Sequence, residues 1–323
     1  MTILNSSGLS TMTRRHALAF VGAAFARAAG RLPANENVKW AVTLALWGHF
    51  RPVKFTDVLD IMKDTGFPGI RLTSFPQLLK TFNITAEEME REVSKRNLNV
   101  ITISFNAPFQ DPAQQDKVMS SARDAMKFLA RFGANRLVCF TPGRTNMSEF
   151  SFKTLCDSLN NVGEMANSMG FRAGLHNHLD QMVETPEEVD RCMKMTDPKK
   201  FWFSPDTAHL LLGGGDPTAI IRKYKDRLIF LDYKDAKWTE PTAEFVEDNG
   251  KVYPKDNKTA RFLNSIYDLG DGAVDFPAIH RVLKEIQYKG WLCVDLDAAR
   301  KGPRASYERC GQYVVGKLES IYR

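Results

Sequence analysis

From residue 38 onward the chain repeats one pattern eight times: a short β-branched or apolar run, followed by a longer stretch of helical period. The runs fall at 39–46, 69–73, 99–105, 136–140, 172–176, 201–204, 228–232 and 290–295. The helical stretches fall at 56–64, 86–96, 114–132, 152–169, 186–195, 217–224, 277–287 and 306–322. Gly66, Asn97, Gly133, Gly170 and Gly290 stand where the preceding helix must stop. Alternation of this kind demands a parallel sheet with helices outside it. Eight repeats without a Pro-, Ser- or Gly-rich linker predict an α/β fold in the form of a single (β/α)8 TIM barrel over 36–323. A doubly wound sheet is the other arrangement, but no Gly-x-Gly-x-x-Gly follows the first strand.

One segment breaks the pattern, a long loop at about 236–275 after the seventh strand. Its charged, Gly- and Asn-containing composition suits a lid over the barrel mouth or a solvated insertion. The five cysteines are odd in number and never form a Cys-x-x-Cys pair, so they read as core thiols. A formal charge of +6 on 323 residues is too dilute for a nucleic-acid footprint.

In a barrel, reactive groups sit at the carboxyl ends of the strands. Four consecutive strand ends here carry imidazole or carboxylate: His176-Asn177-His178, Asp206-Thr207-Ala208-His209, Asp232-Tyr233-Lys234-Asp235 and Asp295-Leu296-Asp297. Period two puts His176 with His178, Asp232 with Lys234, and Asp295 with Asp297. Carboxylates facing one another across a barrel mouth raise each other's pKa unless a cation neutralises them. His176, Asp206, Asp232 and Asp295 therefore form a candidate site for one divalent metal ion (Mn, Co, Mg or Zn). In the bland alternative Asp206 is a helix N-cap and Asp297 a solvated charge.

The motifs His176-Asn177-His178 with Val183-Glu184-Thr185, Asp206-Thr207-Ala208-His209-Leu210, Asp232-Tyr233-Lys234-Asp235 and Leu269-Gly270-Asp271-Gly272 together resemble the xylose isomerase-like TIM barrel superfamily. That superfamily holds sugar phosphate isomerases and epimerases, with inosose dehydratase and tagatose-psicose 3-epimerase relatives. The resemblance implies one divalent ion, often manganese, held by Glu, Asp, His and Glu on strands five to eight. His176, Asp206, Asp232 and Asp295 occupy those places, and only Asp206 is the family residue. The histidine and one carboxylate have exchanged strands, which keeps the ligand charge unchanged.

The chemistry so implied acts on a keto-sugar, glycoside or inositol-like substrate through an enediolate, ending in epimerisation, isomerisation or dehydration. His178 and Lys234 are candidate bases, and His209 faces the substrate as its family counterpart does. Trp47, His49, Arg71, Asn106 and Arg144 from the remaining strand ends, and Asp297 from the eighth, are candidate substrate-binding residues. The competing class is an exported, non-catalytic sugar-binding barrel that has lost the metal. A phosphodiesterase on the same barrel needs more His and Glu than these ends supply. The partner expected is a small sugar, with no nucleic acid and with self-association left open.

Residues 1–28 are set apart. Arg14-Arg15 followed by an Ala-rich apolar run resembles a cleaved twin-arginine export signal, which implies a periplasmic or exported enzyme. The run at 17–26 is half the roughly 20 residues a membrane span needs, so no membrane anchor is expected. Cleavage after residue 28 removes Arg14, Arg15 and Arg27 and lowers the net charge from +6 to +3.

Overall fold

Strands β1 (Val38–Thr43), β2 (Gly69–Leu72), β3 (Asn99–Asn106), β4 (Arg136–Phe140), β5 (Arg172–His176), β6 (Phe201–Phe203) and β7 (Leu231–Tyr233) follow the expected runs. Four two-residue strands come next, β8 (Asp235–Ala236), β9 (Phe245–Val246), β10 (Val252–Tyr253) and β11 (Ile266–Tyr267), and then β12 (Gly290–Val294). The structure, a computed structural model, describes Leu32 and residues 37–145, 147–240 and 242–323. The expected export segment, residues 1–28, lies outside them. Among the described residues no helix is long and apolar enough to cross a membrane.

Eight parallel strands form one curled sheet in the order β6-β5-β4-β3-β2-β1-β12-β7. Its two ends meet through isolated parallel bridges, Phe203 to Leu228 and Asp206 to Asp232, so the ring closes between β6 and β7. This is the expected α/β barrel. The closing seam is thin because Pro205, two residues beyond β6, cannot donate to a ladder.

Helices cover the outside. α1 (Phe55–Asp64), α2 (Gln77–Phe82), α3 (Ala86–Lys95), α4 (Gln115–Ala130), α5 (Glu149–Ser168) and α6 (Pro186–Met195) are followed by two short helices, α7 (Thr207–Leu212) and α8 (Pro217–Lys223). Capping boxes at Thr85/Glu88 and Thr185/Glu188 satisfy the first free N–H groups of α3 and α6. After α9 (Lys258–Asn264) and α10 (Phe276–Glu285), the last helix, α11 (Pro303–Tyr313), passes into a π-turn at Val314–Leu318 instead of running on to 322. Gly311 and Gly316 lower the helix propensity there.

The strands show their two faces in the core. Trp40, Val42, Leu137, Cys139, Leu292 and Val294 belong to the large cluster under the helices. Ala41, Val138, Phe230 and Cys293, at alternate positions, belong to a smaller cluster with Trp202 and Trp291 packed on it. Period two thus separates an outer face from the barrel interior.

The described residues of the segment at 236–275 carry regular structure. β9 and β10 make an antiparallel hairpin, and β11 pairs antiparallel with β8. Asp235 fastens the return: its carboxylate accepts from the backbone N–H groups of Ala236, Gly270, Gly272 and Val274 at 2.8–3.1 Å. A Cβ on Gly272 would come within 2.3 Å of Asp235 Oδ1, so only glycine allows this approach.

Candidate functional site

Following the interior parity upward leads from packing to chemistry. Val138 is succeeded by Phe140, Gly174 by His176, Phe230 by Asp232 and Lys234, and Cys293 by Asp295 and Asp297. Arg71 enters from β2 and Asp206 from the turn after β6. Asp206 and Asp232 are bridge partners, and Asp232 also pairs in register with Cys293 of β12. Ring closure therefore brings polar groups from four separate strand ends together with the guanidinium of β2.

The result is a buried charge network. Arg71 Nη1 lies 2.7 Å from Asp232 Oδ1 and 3.2 Å from Asp295 Oδ2, and its other Nη donates to Ser104 Oγ at 3.0 Å. Lys234 Nζ lies 3.1 Å from Asp206 Oδ2, 3.0 Å from Asp295 Oδ2 and 2.6 Å from Asp297 Oδ2. His176 Nδ1 is 3.2 Å from Asp232 Oδ2 and its Nε2 is 3.9 Å from Asp206 Oδ2, while its ring stacks on Phe140 at 4.0 Å. Four carboxylates face two cations, so with all of them ionised the cluster carries two uncompensated negative charges.

Burial and these charges set the protonation states. Burial lifts the Asp206 carboxyl to about 6 against the pull of Lys234, and lifts Asp232 well above the carboxylate range against Arg71. Burial works against the Asp295 carboxylate too, but Lys234 and Arg71 outweigh it and hold it below its usual value. His176 and His209 are pushed far down by burial and neighbouring positive charge and are neutral. Burial would strip Lys234 of its proton, yet Asp206, Asp295 and Asp297 outweigh it and hold the proton on. In this setting the Lys234 side chain, a candidate base in the sequence, stands as an ammonium ion.

The other expected residues divide. His209 joins the centre: its Nε2 lies 3.3 Å from Lys234 Nζ, and its ring stacks on Phe262 of α9. His178 packs on His209 at 3.7 Å, and its Nδ1 meets the carbonyl of Leu179 at 2.6 Å. Trp47 is not a free floor residue, since its indole N–H donates to Tyr307 at 3.0 Å. Neither Trp47 nor His49 ends a strand, because Ala45–His49 is a 3-10 turn. His49 meets Glu247 of the hairpin at 3.0 Å. Arg71 is 1% exposed and paired with Asp232 and Asp295, and Arg144 donates both Nη groups to Glu188, so both side chains are engaged in ion pairs. Asn106 stands exposed at the end of β3, in register with Phe140. Asp206 is the expected N-cap, its Oδ1 accepting from the His209 N–H at the start of α7, while its Oδ2 faces the centre.

Ser104, Phe140, Phe262 and Glu247 were missed. The first two follow interior strand parity and were within reach of the sequence; the last two come from the 236–275 segment, which carries no such period.

The donor set suits a divalent ion. Asp206, Asp232 and Asp295, and separately His176, Asp206 and His209, each offer three ligand atoms within 4.8 Å of one another. Neither nitrogen of buried His176 makes a hydrogen bond, and mixed N/O donors of this kind serve Mn²⁺, Co²⁺ or Zn²⁺.

A family model described as "Xylose isomerase-like TIM barrel" matches residues 59–310. The inosose dehydratase of Lacticaseibacillus casei is 26% identical over 271 residues, covering 78% of this chain and 86% of the relative. That of Bacillus velezensis is 33% identical over 155 residues, so the chain spans about half the length of that relative, 50%, through 48% of its own. The solved structure of the IOLI protein with a binding zinc atom superposes with a TM-score of 0.68 at 14% identity, over 88% of this chain and 99% of that one.

Proposed function

The chain belongs to the xylose isomerase-like TIM barrel family, and from that premise we propose that it is a sugar-transforming enzyme of the isomerase, epimerase or dehydratase kind. The observation that carries this is the buried convergence of His176, Asp206, Asp232 and Asp295 at the ends of β5, β6, β7 and β12. The relatives named inosose dehydratase support an inositol-like or keto-sugar substrate. The twin arginine at Arg14-Arg15 supports an exported enzyme, for which a neutral sugar suits better than a sugar phosphate.

These four residues would hold one divalent ion. Such an ion supplies Lewis acidity, polarising a carbonyl and stabilising the negative charge that develops when the neighbouring C–H proton leaves. The chain's own groups do the rest. His178 donates from Nδ1 to the Leu179 carbonyl, which fixes the tautomer and leaves Nε2 free to take a proton. Burial and Lys234 lower its pKa, so it is ready as a base at neutral pH. Arg71 is a fixed positive charge beside the reacting face, already positioned when charge develops. Phe262, stacked on His209, excludes water from the imidazoles.

Asp206→Asn tests the reading. Plasma mass spectrometry on the purified chain should find about one equivalent of metal, and the variant should lose both the metal and turnover of keto-sugars. Metal retained in the variant sinks the ligand assignment. A chain that takes up no metal even on reconstitution is the sugar-binding barrel instead.

A further inference from the structure

We propose that the Lys234 ammonium is the resident cation of this centre and that a divalent ion enters only by displacing it. This rests on the metal-dependent reading above and adds to it a competition built into the chain. Nζ of Lys234 is surrounded as a metal would be: Asp206 Oδ2 at 3.1 Å, Asp295 Oδ2 at 3.0 Å, Asp297 Oδ2 at 2.6 Å and His209 Nε2 at 3.3 Å. Three carboxylate oxygens and one imidazole nitrogen, from the segments just after β6 and β12 and from α7, make a mixed shell around one positive atom.

An ion taking Asp206 and Asp295 as ligands would lie within a few ångströms of an ammonium already about 3 Å from both carboxylates, and two positive charges so close in a buried site repel strongly. The two cations therefore alternate. Lys234 has somewhere to go: Asp297, its nearest partner, keeps 21% of its side chain exposed while Asp206 has none. The four-carbon stem lets the ammonium withdraw toward that rim without leaving a carboxylate. Its contact with His209 is also the poorest of the four. His209 Nδ1 already faces the Leu179 N–H at 3.3 Å, and a neutral imidazole accepts at one nitrogen only.

Binding of Mn²⁺ and of Zn²⁺ to the full chain and to Lys234→Met, by titration calorimetry and equilibrium dialysis, tests this. Removing the competitor should tighten the dissociation constant at least tenfold, and Lys234→Gln should act in the same direction. Equal or weaker binding in both variants, with one equivalent still bound by the unsubstituted chain, overturns the competition and leaves the metal reading standing. No binding in any of the three overturns both. A second measurement needs no variant: saturating metal should raise the rate at which acetic anhydride modifies Lys234, read by peptide mass spectrometry. A bound metal that leaves Lys234 as protected as before overturns the inference.

Discussion

Arg71 shows how much one buried side chain can decide. Its guanidinium is enclosed between Asp232, Asp295 and Ser104, and these carboxylates raise its pKa despite burial. Removing one partner of a buried pair leaves an uncompensated charge, at a cost of about 3–5 kcal/mol. Arg71→Met should therefore lower the melting temperature by on the order of 10 °C; a melt that superposes on the parent would show that the carboxylates do not depend on Arg71. His280 behaves oppositely. It is buried, bonded to the Tyr233 hydroxyl at 2.9 Å, and burial lowers its pKa to about 4. The unfolded chain, with an ordinary histidine near 6.5, takes up that proton first as pH falls. Stability is complete above pH 6.5 and is lost progressively toward pH 4, by about 3 kcal/mol for this group. Urea unfolding from pH 7 to 4 should show this slope, reduced in His280→Gln.

Asp235 has the corresponding importance among the elements. It accepts four backbone N–H groups at once, three of them from the stretch that returns the long segment to the barrel. Asp235→Ala leaves those donors without their acceptor, at about 1–3 kcal/mol for each one that stays dry. Hydrogen exchange over 268–275 should speed up strongly, whereas exchange in β1 and β4 should not change. Uniform exchange across the chain would mean that the segment does not depend on this residue. The hairpin above it is held by Glu247, which accepts from Tyr253 at 2.7 Å and meets His49 at 3.0 Å. A segment with no hydrophobic period is thus ordered by a few polar fastenings, which is why its composition alone reads as irregular.

The ring as a whole closes at its weakest place. Between β6 and β7 the ladder consists of isolated bridges, and Arg227 supplies what they lack. Its guanidinium donates to the carbonyls of Met193 and Phe201 and to Thr196 Oγ1, tying the entry to β7 onto α6 and β6. Arg227→Met should lower the denaturation midpoint by the equivalent of about 2–4 kcal/mol while leaving the secondary structure intact. A midpoint that does not move would place the strength of the seam in packing alone. Because the seam carries Asp206 and Asp232, the same variant should weaken metal binding without touching a ligand.

Local period and turn chemistry determined most of the barrel. Period two at the strand ends pairs His176 with His178, Asp232 with Lys234 and Asp295 with Asp297, and glycines and asparagines mark where helices stop, because both are short-range consequences of backbone geometry. The same parity brought out His176, Asp232 and Asp295 as candidates. Only the tertiary structure decided what they do to one another. Arg71 and Asp295 are 224 residues apart, yet they meet at 3.2 Å because β2 and β12 flank β1. Electrostatic energy depends on that distance and on burial, and neither is written in the spacing of a sequence. Lys234 reads as a candidate base along the strand; only the fold shows that Asp206, Asp295 and Asp297 surround its side-chain nitrogen.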